Sequence, residues 1–300
     1  MALSFTDNSG NNITHGSDAS IDNPTSGTLV FWLKLVNTSN TYREFFVKMN
    51  ASGTLGWVIY RPGSAGSTLR FEWVGTSTLQ IYTAASFLTT NWMFIAVVFN
   101  KSGANGDQKM YKGSLTSAAV EATYGTQLVG SGHATDAAET FRIGSRDGVN
   151  ECMGMSLGFL AYYPNVVLSL EQIIAQQFNT DAPVVAGCKM FYHYGIHGAG
   201  GTGTQKDWSG SGNDGTLTGA AKIDHPPIQV FSRPAITQEL AQTLFPAPVN
   251  LTLATVAPVI GYTLIPAPIN LVLSTVNPVV TTGANKYPWY AYPPMIRGPF

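Results

Sequence analysis

Charge is what this sequence has least of. Asp, Glu, Lys and Arg make up 11% of its 300 residues, against about 25% in an ordinary soluble chain. The formal net charge is −1. With no basic cluster, the chain lacks the electrostatic footprint that nucleic acid requires. With little net repulsion, it is suited to self-association. Cysteine is scarce as well, with two residues. Cys152 and Cys188 stand far apart, outside the spacing of a zinc site or a redox motif, and both are expected as buried thiols. The opening Met1-Ala2-Leu3-Ser4-Phe5-Thr6-Asp7 has neither the basic nor the apolar region of a secretory signal, which predicts a chain made in the cytoplasm of its cell.

Gly (31) and Pro (17) are abundant, the composition of short strands and tight turns. At 44% hydrophobic and 11% aromatic the chain carries enough apolar surface to fold. Runs of β-branched and aromatic residues recur at Thr28–Val36, Glu44–Met49, Gly56–Arg61, Thr68–Val74, Leu79–Thr83, Trp92–Asn100, Gln108–Lys112, Thr140–Gly144 and Met155–Tyr163, each bounded by turn formers. Such spacing with almost no helical period predicts an all-β sandwich or barrel. Trp32 and Trp92 sit in continuous apolar runs and are expected to be buried on facing or neighbouring strands. One helix is predicted from Ser169 as N-cap, Glu171 in the first turn, and Leu170, Ile173, Ile174 and Phe178 at helical spacing.

After Pro183 a strand is expected over Val184–Tyr194, followed by the Gly-rich Gly195–Gly203 and the turn-dense Asp207–Gly215. This part is too short to bury a core alone, so residues 181–227 are expected to pack on the sandwich of residues 1–180. From Ala241 to Asn285 there is no Asp, Glu, Lys or Arg, and the stretch Thr243–Val259 recurs as Thr263–Val279, a period of 20. Pro246, Pro248, Pro258, Pro266, Pro268 and Pro278 interrupt every apolar run long enough to span a membrane. The repeats read instead as short edge strands. Phe245, Val249, Leu251, Leu253, Ile265, Ile269, Leu271 and Leu273 would stay partly exposed in a monomer. Residues 228–300 are therefore expected to contact other chains by strand addition, in a homo-oligomer or an assembly, or else to fold back as a small β unit.

Several segments in order resemble the concanavalin A-like/laminin-G-like jelly rolls. Leu3-Ser4-Phe5, His15–Asp22 and Gly27–Lys34 are similar to the family's opening strand, turn and Trp-bearing strand. Asn91–Phe99, Met110-Tyr111-Lys112-Gly113 and Phe141-Arg142-Ile143-Gly144 are similar to its later strands, and Leu157–Tyr163 with Leu168–Ile173 to its closing strand and short helix. The stretch Asp207–Gly219 with Asp224-His225-Pro226-Pro227 resembles a segment that follows this jelly roll in bacteriophage structural proteins. The resemblance implies a virion component of the capsid-decoration or head or tail fibre kind, or a carbohydrate-binding lectin module. The tail after Ile228 resembles no family.

The chemistry of catalysis is missing from the pattern. Glycosidases of this superfamily pair carboxylates on one strand, whereas Glu44, Glu72, Glu121, Glu139, Glu151 and Glu171 stand singly. A glycan hydrolase is the third reading. His193 and His197 are four apart, but Tyr194-Gly195-Ile196 between them argues against the helix that would bring them together. Calcium, which the superfamily commonly binds, would take loop oxygens from Asp18, Asp22, Asp147 and Asn150, but the fold is not expected to need it. A sugar would take an exposed aromatic beside a polar group, and Trp57, Tyr60, Arg61 and Trp73 are the candidates.

Overall fold

A computed structural model describes residues 2–7, 10–37, 41–63, 67–144, 146, 152–193 and 202–224. In chain order the strands are β1 (Ala2–Phe5), β2 (Asn12–Thr14), β3 (Ser26–Leu35), β4 (Arg43–Met49), β5 (Gly56–Arg61), β6 (Arg70–Trp73), β7 (Gly75–Ser77) and β8 (Leu79–Thr83). Then come β9 (Met93–Asn100), β10 (Lys109–Gly113), β11 (Val120–Glu121), β12 (Tyr124–Leu128), β13 (Ser131–His133), β14 (Phe141–Gly144) and β15 (Met155–Pro164). Helix α1 (Leu170–Phe178) precedes β16 (Met190–His193), β17 (Thr202–Gln205), β18 (Gly215–Thr218) and β19 (Ala221–Ile223).

The first sheet runs β11-β10-β9-β3-β15-β1-β19, with β16 beside β15, and the second runs β12-β8-β6-β5-β4-β14-β2-β18-β17. A small β7–β13 pair stands apart. Pairing between these strands is antiparallel throughout, and the strand order within each sheet crosses the chain order repeatedly. This is an antiparallel two-sheet β-sandwich, the all-β architecture that the strand pattern predicted.

The centre of the first sheet explains why its strands read as unbroken apolar runs, since both faces are covered. Leu29, Phe31 and Leu33 of β3 face the second sheet, while Val30 and Trp32 face outward against Ile173 of α1. Trp32 is fully buried, lies beside Phe94 at 5.7 Å, and donates from Nε1 to the Gln177 carbonyl at 3.0 Å. Trp92 departs from expectation: it precedes β9 by one residue and is half-buried against this outer cluster.

Helix α1 begins at Ser169 as predicted, with Ser169 and Gln172 closing a reciprocal capping box. Its buried face differs from the apolar stripe expected, because Gln176 and Gln177 are buried with Ile173 while Leu170 is exposed. Gln177 explains the difference. Its Nε2 donates to the Ser114 and Ser117 carbonyls at 2.8 Å, and its Oε1 accepts from Ala119 N at 2.7 Å, tying α1 to the β10–β11 turn. Gly113 leaves room for that side chain, since a Cβ there would lie 2.5 Å from Gln177 Nε2.

The sandwich does not close at residue 180. Among the described residues of the strand expected over Val184–Tyr194, only Met190–His193 form one, pairing with β15, while β18 pairs with β2 and β19 with β1. Residues 190–193 and 202–223 thus add strands to both sheets rather than lying upon them. Cys152 and Cys188 are buried free thiols. Among the described residues, no helix is long and apolar enough to cross a membrane. The repeat-bearing tail, with Phe245, Val249, Leu251, Leu253, Ile265, Ile269, Leu271 and Leu273, lies outside the described residues.

Candidate functional site on the second sheet

Successive side chains of a strand point to opposite faces, so each strand of the second sheet divides its residues between core and surface. On β5 and β6 the core receives Trp57, Ile59, Phe71 and Trp73. The outer face receives Val58, Tyr60, Arg70 and Glu72. Register then sets Tyr60, Arg70 and Tyr82 in one row across β5, β6 and β8, with Val58, Glu72 and Gln80 in the next.

The row is an aromatic–cation–aromatic sequence. The Arg70 guanidinium lies 4.1 Å from the Tyr82 ring centroid, a cation–π arrangement. Glu72 accepts from both tyrosines, at 2.8 Å from the Tyr60 hydroxyl and through a second bond from the Tyr82 hydroxyl. Burial, reinforced by the Glu72 charge, pushes the Tyr60 hydroxyl up to about 12, with Arg70 pulling the other way, and raises Tyr82 as well. Both phenols are therefore neutral donors, and Glu72 is committed to holding them.

A cavity of about 610 Å³ opens beside this row, walled by Thr68, Arg70, Tyr82, Thr83, Gly125 and Thr126, with Ala84 and Ala85 at one end. The register of β12 against β8 slips between Tyr124 and Thr126, placing a bulge at Gly125 in the cavity wall. Two buried polar atoms of the lining make no hydrogen bond: Arg70 Nε and Thr68 Oγ1, the latter on a residue only 7% exposed. Buried polar atoms are nearly always paired. A wall of aromatic and methyl surface with two unused polar atoms is complementary to a ligand that has both apolar faces and hydroxyl or charged groups.

Three of the four residues expected to meet a sugar are instead buried inside the fold. Trp57 and Trp73 face the core, donating to Asp136 Oδ2 at 3.2 Å and to the Ala134 carbonyl at 2.8 Å. Arg61 is fully buried and binds the Thr41 and Asn37 carbonyls at 3.2 Å each. Tyr60 alone faces outward, though its ring packs against Tyr42 at 5.1 Å and only 7% of it is exposed. Arg70, Glu72 and Tyr82 were not singled out from sequence, although the alternation Arg70-Phe71-Glu72-Trp73 carried the signal.

Of the four calcium candidates, the two among the described residues are each engaged by protein groups. Asp18 accepts from Ser20 N at 2.8 Å as an Asx turn. Asp22 is bound by buried Lys48 Nζ at 2.6 Å and by Ser17 Oγ at 3.0 Å. Asp147 and Asn150 lie outside the described residues. Among the described residues no group of three His, Cys, Asp or Glu is arranged to hold a metal. Lys48 serves the fold instead, since its Nζ also donates to the Asp136 and Glu139 carbonyls at 2.6 and 3.0 Å and lies 3.7 Å from Asp136 Oδ2. Burial raises the Asp136 carboxyl, with Lys48 opposing it.

No family model matches the chain, and no curated protein matches it. Among solved structures, the Ruminococcus gnavus IT-sialidase CBM40 bound to α2,3-sialyllactose aligns at 15% identity with a TM-score of 0.40, over 58% of this chain and 95% of that one. A heptameric SAP-like pentraxin from Limulus polyphemus aligns at 12% identity and 0.41, over 61% and 84%. Mouse laminin α1 domains LG4-5 align at 10% identity and 0.39, over 57% and 43%. At these scores the fold assignment rests on the strand order alone.

Proposed function

We propose that the chain is a non-enzymatic display protein whose sandwich binds a glycan in the cavity beside Tyr60, Arg70 and Tyr82. The observation that carries this is the pair of unused polar atoms, Arg70 Nε and Thr68 Oγ1, set in a wall formed partly by the Tyr82 ring. A sugar offers what that wall lacks: hydroxyls for the polar atoms and a C–H face for the ring. A hydrolase fits less well. Retaining glycosidases need two carboxylates about 5–5.5 Å apart, whereas among the described residues the wall of this cavity is formed by threonine, arginine, tyrosine, alanine and glycine, and the neighbouring Glu72 is held by two tyrosine hydroxyls. A glycan array on the full-length chain tests the reading. Binding that disappears in Tyr82→Ala, with the thermal transition kept, is the expected result; an array with no hit would remove it.

The sequence resemblance and the charge-free repeats of residues 241–285 support a setting for this module: a virion structural protein of the decoration or fibre type, anchored to neighbouring subunits through residues 228–300. Removing residues 241–300 should leave a soluble sandwich that no longer joins its assembly. A truncated chain that still assembles would argue against the anchor.

A further inference from the structure

A second cavity of about 240 Å³ adjoins the first, walled by Phe87, Lys112, Val120 and Thr123 and sharing Ala84 and Ala85 with it. Both shared residues are small and Ala85 is exposed, so the partition between the cavities is low. The pair lies where the chain passes from β11, the edge of the first sheet, to β12, the edge of the second.

Each cavity has a cation in its wall, and the nearby carboxylates are already engaged. Among the described residues neither Arg70 nor Lys112 makes an ion pair. The Lys112 amine donates to the Phe87 carbonyl and sits 5.4 Å from the Phe87 ring centroid, contacts that leave its charge uncompensated. Glu121, in the second cavity wall, is bound to Lys109 at 3.0 Å, and Glu72 holds the two tyrosine hydroxyls. Thr68 Oγ1, buried and unbonded, lies in the same wall as Arg70.

We infer that the ligand is an anionic oligosaccharide lying across both cavities, its acidic group held at Arg70 and its chain continuing over Ala84 and Ala85 toward Lys112. This rests on the glycan-binding reading and goes beyond it in charge and length. Two cations on either side of a low partition suit an extended chain with repeated acidic groups better than a single neutral ring. The planar fork of Arg70 matches a carboxylate or a sulfate.

The test is a calorimetric titration of the full-length chain with uronic-acid oligomers of increasing length, with their carboxyl-reduced neutral counterparts and with a sulfated series. Binding of either acidic series should tighten by about tenfold from the single sugar to the short oligomer, and the neutral forms should bind at least about tenfold more weakly. Lys112→Gln should bring the oligomer down to the affinity of the single sugar while leaving the single sugar unchanged. Ala85→Trp should do the same by raising the partition, without altering charge. Arg70→Ala should abolish both. Affinity that is independent of length, or equal for neutral and acidic forms, overturns the inference while leaving a glycan site in place. Failure of these series together with an empty glycan array would remove the glycan reading itself.

Discussion

The two faces of the second sheet are built from alternate residues of the same strands, and the tryptophans of one and the arginine of the other show how differently their polar groups are placed. On the inner face every indole has found a partner. Trp57 and Trp73 pack 6.3 Å apart and send their N–H groups to Asp136 and Ala134. On the outer face, one residue further along each strand, Arg70 Nε is buried beside a cavity with nothing to bond. Aromatic content is therefore a poor guide to a ligand site in this fold, and parity along the strand is a better one. A partnered aromatic stabilises the sandwich; an unpartnered polar atom at a cavity marks where something else belongs.

The contrast predicts unequal costs of truncation. Trp73 is fully buried, packs tilted against Phe99 at 5.6 Å and lies under the Lys101 amine at 3.8 Å. Trp73→Ala should lower unfolding stability by about 3–5 kcal/mol, the usual cost of emptying an aromatic core position. Chemical denaturation with near-UV circular dichroism measures it. A midpoint shift no larger than that of an outer-face variant would dissolve the distinction between the faces.

Most of the frame was legible in the residues, and the reasons differ by element. Gly56–Arg61 and Leu79–Thr83 form at the predicted bounds, because turn formers flank them on both sides. β12 and the short β7, β11 and β13 were missed, since strands of two to five residues with mostly exposed side chains have no apolar pattern to read. The site was legible only in part. Gly56-Trp57-Val58-Ile59-Tyr60-Arg61 is buried at every position, so it shows no alternation, and its sequence alone does not say which residues face out. Arg70–Trp73 does alternate, and Arg70 and Glu72 follow from it. The cavity itself depends on where β12 and the Ala84–Ala85 turn meet β6 and β8, a long-range arrangement that no local pattern encodes.

His15 offers a second way to sharpen the comparison, because it too has an unbonded buried nitrogen, but in the interior. Its Nδ1 meets the Tyr192 hydroxyl at 2.9 Å, Nε2 has no partner, and Gly215 leaves room for the ring, since a Cβ there would lie 2.4 Å from it. Burial drives its pKa from 6.5 down to about 3. The unfolded chain then binds the proton more readily, so the stability contribution is complete above pH 6.5 and is lost as pH falls toward about 3. The slope should approach about 1.4 kcal/mol per pH unit within that window. Denaturant midpoints taken from pH 7 to pH 4 should show this slope, and His15→Gln should flatten it. An unchanged slope in the variant would place the acid sensitivity in other groups.

The smallest expected effect is the one on which the outer face depends. Arg70 contributes its stacking on Tyr82 to the fold, and a cation–π contact at a partly open site is worth about 0.5–1 kcal/mol. Its buried, unpaired Nε offsets part of that contribution, because its desolvation is repaid by no hydrogen bond. Arg70→Ala should therefore shift unfolding stability by less than about 1 kcal/mol, even as it removes ligand binding. Tyr82 should keep its bond to Glu72 in that variant, so the tyrosine ring would stay in the wall while the guanidinium is lost. If Arg70→Ala instead destabilises the chain as much as Trp73→Ala does, the guanidinium is part of the core, and the cavity beside it is no longer a site waiting for a ligand.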